Sequence, residues 1–150
     1  MTDSKPTTTW RAARARWHFA LAAFHRHQGN LGGSRMAYER AVDQFTHAID
    51  LDPLFADAFM QRGILYWREI QNYHRAIRDL TRVLAVDPAR SDALYYRALA
   101  YQARGDYDQA IADYEQFLAM GVGSTWRESA HIQLEGAREL RSAREAKRGR

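Results

Sequence analysis

The chain has 150 residues, of which 46% are hydrophobic and 12% aromatic, so it is long enough for one hydrophobic core and too apolar for a wholly disordered chain. It contains no cysteine, which excludes disulfide bonds, thiolate chemistry and the usual structural zinc ligands. The net charge of +4 divides into +4 over residues 1–30, −3 over 31–123 and +3 over 124–150, so the ends are basic and the centre is mildly acidic.

The N-terminal segment 1–9 is polar and is predicted to be a disordered tail. It has no apolar core of the kind that a signal peptide needs, and no run of about 18 apolar residues follows it. These features predict a cytoplasmic protein that does not contact a membrane.

Three stretches that read as pairs of amphipathic helices follow, over about 10–53, 54–88 and 89–123. In the second and third stretches, Asp57–Tyr66 and Asp92–Tyr101 both read Asp-Ala-apolar-x-x-Arg-small-apolar-x-Tyr, at an offset of 35 positions. Tyr73–Leu80 and Tyr107–Tyr114 both read Tyr-x-x-Ala-Ile-x-Asp-apolar, at an offset of 34. The spacing predicts an internal repeat of helix pairs.

The first stretch repeats this pattern less regularly. Tyr38–Phe45 matches the second-helix motif, and Trp17–Phe24 matches the first-helix motif loosely. About eight extra residues separate the two helices around 29–34, where a glycine-rich run predicts a turn. Asp52-Pro53 and Asp87-Pro88 end the first two stretches at the same relative place, because the residue before proline is disfavoured in a helix.

This pattern resembles the tetratricopeptide repeat family, whose repeats of about 34 residues carry aromatic, small and proline residues at set positions of a helix-turn-helix. The resemblance covers about residues 14–123 and implies an all-α fold, a right-handed α-solenoid of antiparallel helix pairs with about seven helices. The positions that carry it are Trp17, Phe24, Tyr38, Ala41, Phe45 and Pro53 in repeat one; Phe59, Gly63, Tyr66, Ala76, Leu80 and Pro88 in repeat two; and Leu94, Ala98, Tyr101, Gly105, Tyr107, Ala110 and Tyr114 in repeat three.

Two pairs of charged residues recur within the repeats. Arg62 and Arg97 lie where the family usually has a leucine, and Asp79 and Asp113 lie at the matching place on each second helix. Repeat one lacks both charges. The joint presence and absence predicts an Arg–Asp ion pair inside repeats two and three.

A seventh helix is predicted over about 124–143, to cap the last repeat. Thr125-x-x-Glu128 reads as a capping box at its start. Residues 10–145 would then form a single domain, and the basic segment 144–150 would fray. The apolar side chains that share one face of this helix are Trp126, Ala130, Leu134, Ala137 and Leu140.

The resemblance implies that the first helices of the repeats line a concave groove, which binds a peptide or helix of another protein. Some family members hold a partner's C-terminal carboxylate there with lysine, asparagine and arginine, but Asp92 and Tyr96 occupy such places in repeat three. We therefore expect an apolar or aromatic ligand, with Arg26 and Arg68 as anchors for acidic flanks. The expected groove residues are His18, Phe19, Arg26, Met60, Gln61, Ile64, Trp67, Arg68, Tyr95, Tyr96, Leu99 and Gln102.

Three alternatives stay open at this point. The apolar groove side chains, Ile64, Trp67, Tyr96 and Leu99 among them, could belong to the interior. The groove or the end helices could bind a second copy of the chain or the chain's own C-terminal helix, which would make this a self-associating structural protein. The basic ends could bind nucleic acid, although such binders more often place positive charge on a folded face.

No catalytic or metal site is predicted. The sequence has no His-Glu-x-x-His, no phosphate-binding Gly-Lys loop and no Gly-x-Ser-x-Gly. His25 and His27 point about 200° apart on a helix and cannot share an ion. The sequence thus favours a non-catalytic interaction scaffold without a cofactor.

Overall fold

The computed structural model describes residues 7–121 and 123–149, apart from the side chains of residues 7, 8, 124 and 125. Within these residues the chain is all α-helical, as the sequence predicts. Of the predicted tail at 1–9, residues 1–6 lie outside the described residues, and residues 7–9 belong to the first helix, which begins at Thr7. The helices are α1 (Thr7–Gly32), α2 (Arg35–Leu51), α3 (Ala56–Arg68), α4 (Tyr73–Val86), α5 (Ser91–Arg104), α6 (Tyr107–Ala119) and α7 (Ser124–Arg148).

The chain forms two compact units, one up to Gln71 and the other from Asn72 onward. The first compact unit contains α1, α2 and α3, and the second contains α4 to α7. Repeat two is therefore divided, with its first helix in one compact unit and its second helix in the other.

The two Asp-Pro steps end α2 and α4 as predicted. Asp52 and Asp87 both leave the helical region, with φ near −136° and −139°, because each precedes a proline. Each carboxylate then accepts a hydrogen bond from the backbone nitrogen two residues on, at 3.1 Å for Leu54 and 3.0 Å for Ala89. The repeated dipeptide thus makes the same turn twice.

The glycine-rich run of repeat one is helical rather than a turn, which corrects the prediction for 29–34. Helix α1 continues to Gly32, and the connection consists only of Gly33, at φ +61°, and Ser34, which accepts a hydrogen bond from the nitrogen of Ala37. The extra residues lengthen α1. At Gly29 the missing Cβ makes room for the ring of Tyr38, so the added length can pack on α2. The Tyr38 hydroxyl donates to Asn30 Oδ1 at 3.2 Å.

The core of the first compact unit lies among α1, α2 and α3. Phe45 is fully buried at its centre, and Phe19 packs on Phe45 and Phe55 with ring centroids 5.6 and 5.0 Å apart. Small residues elsewhere in the core let the helices approach closely. The buried cluster comprises Ala22, Tyr38, Ala41, Phe45, Ala48, Ala58 and Leu65.

The core of the second compact unit is built from α5, α6 and α7. Ala130, Leu134 and Ala137 of α7 are buried in it beside Tyr114 and Phe117 of α6. Helix α7 therefore covers the end of repeat three, as the predicted capping face requires. Leu140, assigned to the same face, is instead exposed.

Helix α7 begins where the sequence predicts, but its cap and its C-terminal end differ from the prediction. The helix begins at Ser124 with Gly123 at the N-cap and no side-chain cap bond, so Thr125, whose side chain lies outside the described atoms, is not the capping residue. The segment from 144 is helical to Arg148 instead of frayed. Its continuation follows from two contacts: Arg141 pairs with Asp108 at 3.2 Å, and Arg144 donates to the carbonyl of Gly105 at 2.6 Å.

Gly136 lies in the middle of α7, and a Cβ built on it meets nothing within 4 Å. Glycine costs a helix interior about 0.8–1 kcal/mol relative to alanine. Gly136→Ala is therefore expected to raise the free energy of unfolding by about that amount, measured as a higher urea midpoint with an unchanged slope. A lowered midpoint would contradict the open environment at this position.

Candidate partner-binding surfaces

The second compact unit carries an aromatic cluster formed by Tyr95 and Tyr96 of α5 and Trp126 of α7. The Trp126 ring lies 5.0 Å from that of Tyr95 and 5.4 Å from that of Tyr96, in edge-to-face geometry. Trp126 is 36% exposed, and Tyr96 is half-buried. The cluster presents aromatic surface to solvent from two helices.

Tyr95 belongs more to the interior than Tyr96 does. Its ring also packs on Phe117 at 5.4 Å and on Tyr114 at 6.1 Å. Burial raises the pKa of Tyr95, although a hydrogen bond with Ser129 of α7 opposes the shift. A ligand would meet Tyr96 and Trp126 first.

The remaining two predicted groove residues of α5 are held by neighbouring side chains. Leu99 packs against the core. Gln102 accepts a hydrogen bond from the Tyr114 hydroxyl at 2.8 Å and donates to Gln133 of α7 at 3.3 Å. Burial raises the pKa of Tyr114, which keeps this hydroxyl protonated as a donor. Both side chains thus serve the packing of α5 on α6 and α7.

The predicted ion pair of repeat three is present. Arg97 Nε and Nη2 donate to the two carboxylate oxygens of Asp113 at 2.7 and 2.8 Å, and Nη1 donates to Thr81 Oγ1 at 3.1 Å. The hydrogen bonds from Arg97 to Asp113 raise the pKa of the guanidinium. With side chains 17% and 8% exposed, this is a mostly buried bidentate pair.

The equivalent residues of repeat two are also buried. Arg62 donates to Thr46 Oγ1 at 2.9 Å, as Arg97 does to Thr81. Asp79 is buried as well. The Arg62–Asp79 ion pair stays a prediction, because its two residues lie in different compact units.

At the start of α5, Asp92 is bound by its neighbour Arg90. Two guanidinium nitrogens donate to the two carboxylate oxygens, both at 2.9 Å. Burial raises the pKa of Asp92, but the hydrogen bonds and charge of Arg90 outweigh it and hold the pKa below its usual value. Asp92 is therefore a carboxylate at neutral pH.

In the first compact unit, one predicted groove residue is half-buried and another is fully covered. Phe19 packs between Phe45 and Phe55, as described above. Met60 is only 2% exposed. Met60 therefore offers little surface to a ligand, whereas Phe19 stays partly exposed.

The other predicted residues of this unit are at least partly accessible. Arg26 of α1 donates to Gln61 of α3, and His18 Nδ1 lies 2.8 Å from Gln44 Oε1 of α2. Ile64 and Trp67 are half-buried on α3. Arg68, which is exposed, pairs with Glu69 at 3.2 Å.

The contacts of α1, α2 and α3 recur in α5, α6 and α7. Phe19 packs on Phe45 as Tyr95 packs on Tyr114. Arg26 binds Gln61 as Gln102 binds Gln133. Arg26 and Gln102 are 76 positions apart, as are Phe19 and Tyr95. Helix α7 therefore occupies the place of a following repeat's first helix.

Within the described residues, no three histidine or acidic side chains are placed to hold a metal ion. None of the described helices is both long and apolar enough to cross a membrane.

The family model for the tetratricopeptide repeat matches residues 68–125 and 97–138. Similar folds are found in solved tetratricopeptide domains. The chain is thus similar to tetratricopeptide-repeat proteins, in sequence over residues 68–138 and in fold over most of its length. The first tetratricopeptide domain of Spaghetti (RPAP3), bound to the HSP90 peptide SRMEEVD, matches with a TM-score of 0.75 and 21% identity, over 87% of this chain and 95% of that one.

Two further solved tetratricopeptide domains have a similar fold. The first tetratricopeptide domain of human RPAP3 has a TM-score of 0.68 and 22% identity, over 83% of this chain and 95% of that one. The Sgt2 tetratricopeptide domain of Aspergillus fumigatus has a TM-score of 0.65 and 26% identity, over 85% and 82%. No curated protein matches the sequence. The second family-model match reaches into α7, in keeping with its place after repeat three.

The sequence interpretation missed one exposed surface, which lies on α1. Four large apolar side chains of α1 recur every seventh residue and are exposed: Trp10, Trp17, Phe24 and Leu31. Trp17 and Phe24 are among the positions that carry the family resemblance in repeat one, yet both side chains are exposed. The contacts of Phe19 show that α1 is shifted by one residue from the motif alignment given for repeat one. The exact spacing of seven residues between the four exposed side chains was the signal that could have revealed this shift.

Proposed function

We propose that this chain is a non-catalytic protein-interaction scaffold that binds a peptide or helix of another protein through the outward faces of its first helices. The observation that carries the proposal is the partly exposed cluster of Tyr95, Tyr96 and Trp126. Aromatic side chains on a rigid base supply large contact area at low cost in conformational entropy. Similar domains of RPAP3 bind chaperone peptides, which supports the same general use of the fold.

The ligand we propose is apolar or aromatic rather than a free C-terminal carboxylate. Asp92 is ionised at the start of α5, and Tyr96 follows one turn later on the same helix. Neither supplies the positive charge that a terminal carboxylate needs. Tyr96 and Trp126 instead offer ring faces and edges to apolar side chains.

A peptide titration tests this proposal. The probes are a fluorescent amphipathic peptide with leucine and phenylalanine on one face and an amidated end, and the peptide SRMEEVD with its free carboxylate. We expect the apolar peptide to bind the native chain and to bind the Tyr96→Ala/Trp126→Ala variant roughly tenfold or more weakly. Tyr95 is left intact because it packs on the core.

Ile132→Ala is the matched control, since this apolar side chain of α7 is exposed and lies outside the cluster. It is expected to leave the affinity unchanged. Tighter binding of SRMEEVD than of the apolar peptide, or equal affinity in the native chain and the cluster variant, would contradict the proposal.

Self-association is the alternative function, favoured by the exposed apolar residues on the end helices α1 and α7. Light scattering of the purified chain separates the two functions. A molar mass that stays that of the monomer as concentration rises would exclude the alternative.

A further inference from the structure

Helix α1 has one face that packs on its own unit and an opposite face that packs on nothing described. The packed face carries small residues seven apart, Ala15, Ala22 and Gly29, all buried. The opposite face carries Trp10, Trp17, Phe24 and Leu31, with smaller residues between them. We call these seven exposed residues the α1 seam: Trp10, Ala13, Trp17, Ala20, Phe24, His27 and Leu31.

The α1 seam has the spacing of one strand of a coiled coil. Large residues at every seventh position, with a residue three further on between each pair, form the stripe that a partner helix contacts. The seam extends about 32 Å along the helix axis. Trp17 and Phe24, at its centre, are 60% and 54% exposed.

In repeat three the equivalent positions are covered. Phe19 and Tyr95 pack in the same way, so Trp17 is equivalent to Ala93 and Phe24 is equivalent to Ala100. Both alanines are fully buried. Helix α5 packs against α4, the second helix of the preceding repeat, as well as against α6 and α7. Among the described residues, no such helix precedes α1. The seam is thus a face that a helix covers in the later repeat.

The charge along α1 selects the kind of helix that would cover the seam. The described helix contains four arginines, Arg11, Arg14, Arg16 and Arg26, and no acidic residue. Arg14 and Arg16 flank the seam on its two sides, and Arg14 lies 5.8 Å from the Trp10 ring. A second copy of α1 would bring no carboxylate to these arginines, whereas an acidic helix would pair with them.

We propose that the α1 seam is a docking site for an amphipathic helix of another protein, one with an apolar stripe at heptad spacing and acidic residues beside it. The stripe packs between Trp17 and Phe24 and over Ala20. The acidic flanks pair with Arg14 and Arg16. This site is separate from the aromatic cluster of α5 and α7.

The test uses two synthetic helical peptides of four heptads, both with leucine on the apolar stripe, one flanked by glutamate and the other by lysine. Fluorescence anisotropy with the full chain is expected to show saturable binding of the glutamate peptide only, weakened by added salt. Trp17→Ala/Phe24→Ala is expected to reduce this affinity roughly tenfold to a hundredfold. Because both rings are exposed, circular dichroism should show an unchanged fold.

Two control variants test the roles of charge and of position in this binding. Arg14→Glu/Arg16→Glu is expected to reverse the preference, so that the lysine peptide binds and the glutamate peptide does not. Met36→Ala, which removes an exposed apolar side chain of α2, is expected to change nothing. The Tyr96→Ala/Trp126→Ala variant should still bind the glutamate peptide, so failure of the function proposed for that cluster leaves this site intact.

Three outcomes would overturn the inference. They are no saturable binding of the glutamate peptide, equal affinity in the native chain and the Trp17→Ala/Phe24→Ala variant, and a dimer of the native chain that this variant abolishes. The last result would assign the seam to a second copy of the chain.

Discussion

Replacement of Asp113 by alanine is expected to lower the free energy of unfolding of the second compact unit by about 3–5 kcal/mol. The change removes both carboxylate oxygens that accept hydrogen bonds from Arg97 Nε and Nη2. The guanidinium is then left mostly buried, with its hydrogen bond to Thr81 Oγ1 remaining. An unpaired buried charge costs far more than the pair itself contributes, because its lost hydration is no longer offset. Urea denaturation followed by circular dichroism measures the effect.

A surface pair of the same chemistry provides the control for this prediction. Glu115 binds Arg138 at 2.9 Å, but the two side chains are 52% and 43% exposed, so Glu115→Ala should cost less than about 1 kcal/mol. Replacing both partners, as in Arg97→Leu/Asp113→Leu, should recover most of the stability that Asp113→Ala loses. Equal urea midpoints for Asp113→Ala and Glu115→Ala would show that the buried pair has no such role.

Gly29→Ala is expected to destabilise the first compact unit by about 1–3 kcal/mol, although alanine is the better helix former. A Cβ at this position would lie 2.5 Å from Cε1 of Tyr38. The ring cannot easily move away, because it is buried and its hydroxyl donates to Asn30. Burial raises the pKa of Tyr38, and the charge of the nearby Glu69 adds to the shift.

Gly32→Ala is the matched control, since it lies one turn further along α1 and a Cβ there meets nothing within 4 Å. It should leave stability unchanged or raise it by up to about 1 kcal/mol. The two variants are compared by their melting temperatures, and their opposite signs are the decisive result. A Gly29→Ala variant as stable as Gly32→Ala would mean that α1 and α2 do not meet at Gly29.

Much of the fold could be predicted from the sequence because its signals are local and repeated. The Asp-Pro steps at 52–53 and 87–88 end their helices through the backbone restriction that proline imposes on one neighbour. Arg97 and Asp113 could be paired because their spacing places them on facing helices of one helix pair. Such features need only the helix period and the repeat length.

The candidate site was less predictable, because partial burial depends on several helices at once. Tyr95 and Tyr96 are adjacent in sequence, yet Tyr95 packs on Phe117 in the core while Tyr96 packs on the exposed Trp126. Gln102 has two partners, and one of them is Gln133 of α7, 31 residues away. No local pattern separates a ring that packs inside from one that a ligand can reach.

By itself, the amino-acid sequence determined the all-α repeat, the ends of α2 and α4 and the buried Arg–Asp pair, because each rests on interactions within one helix pair. The tertiary structure alone decided which face of α1 is open. Packing of Phe19 on Phe45 sets the rotation of α1, and this rotation turns Trp17 and Phe24 outward. It likewise decided the length of α7, since the contacts of Arg141 with Asp108 and of Arg144 with Gly105 join residues more than 30 positions apart.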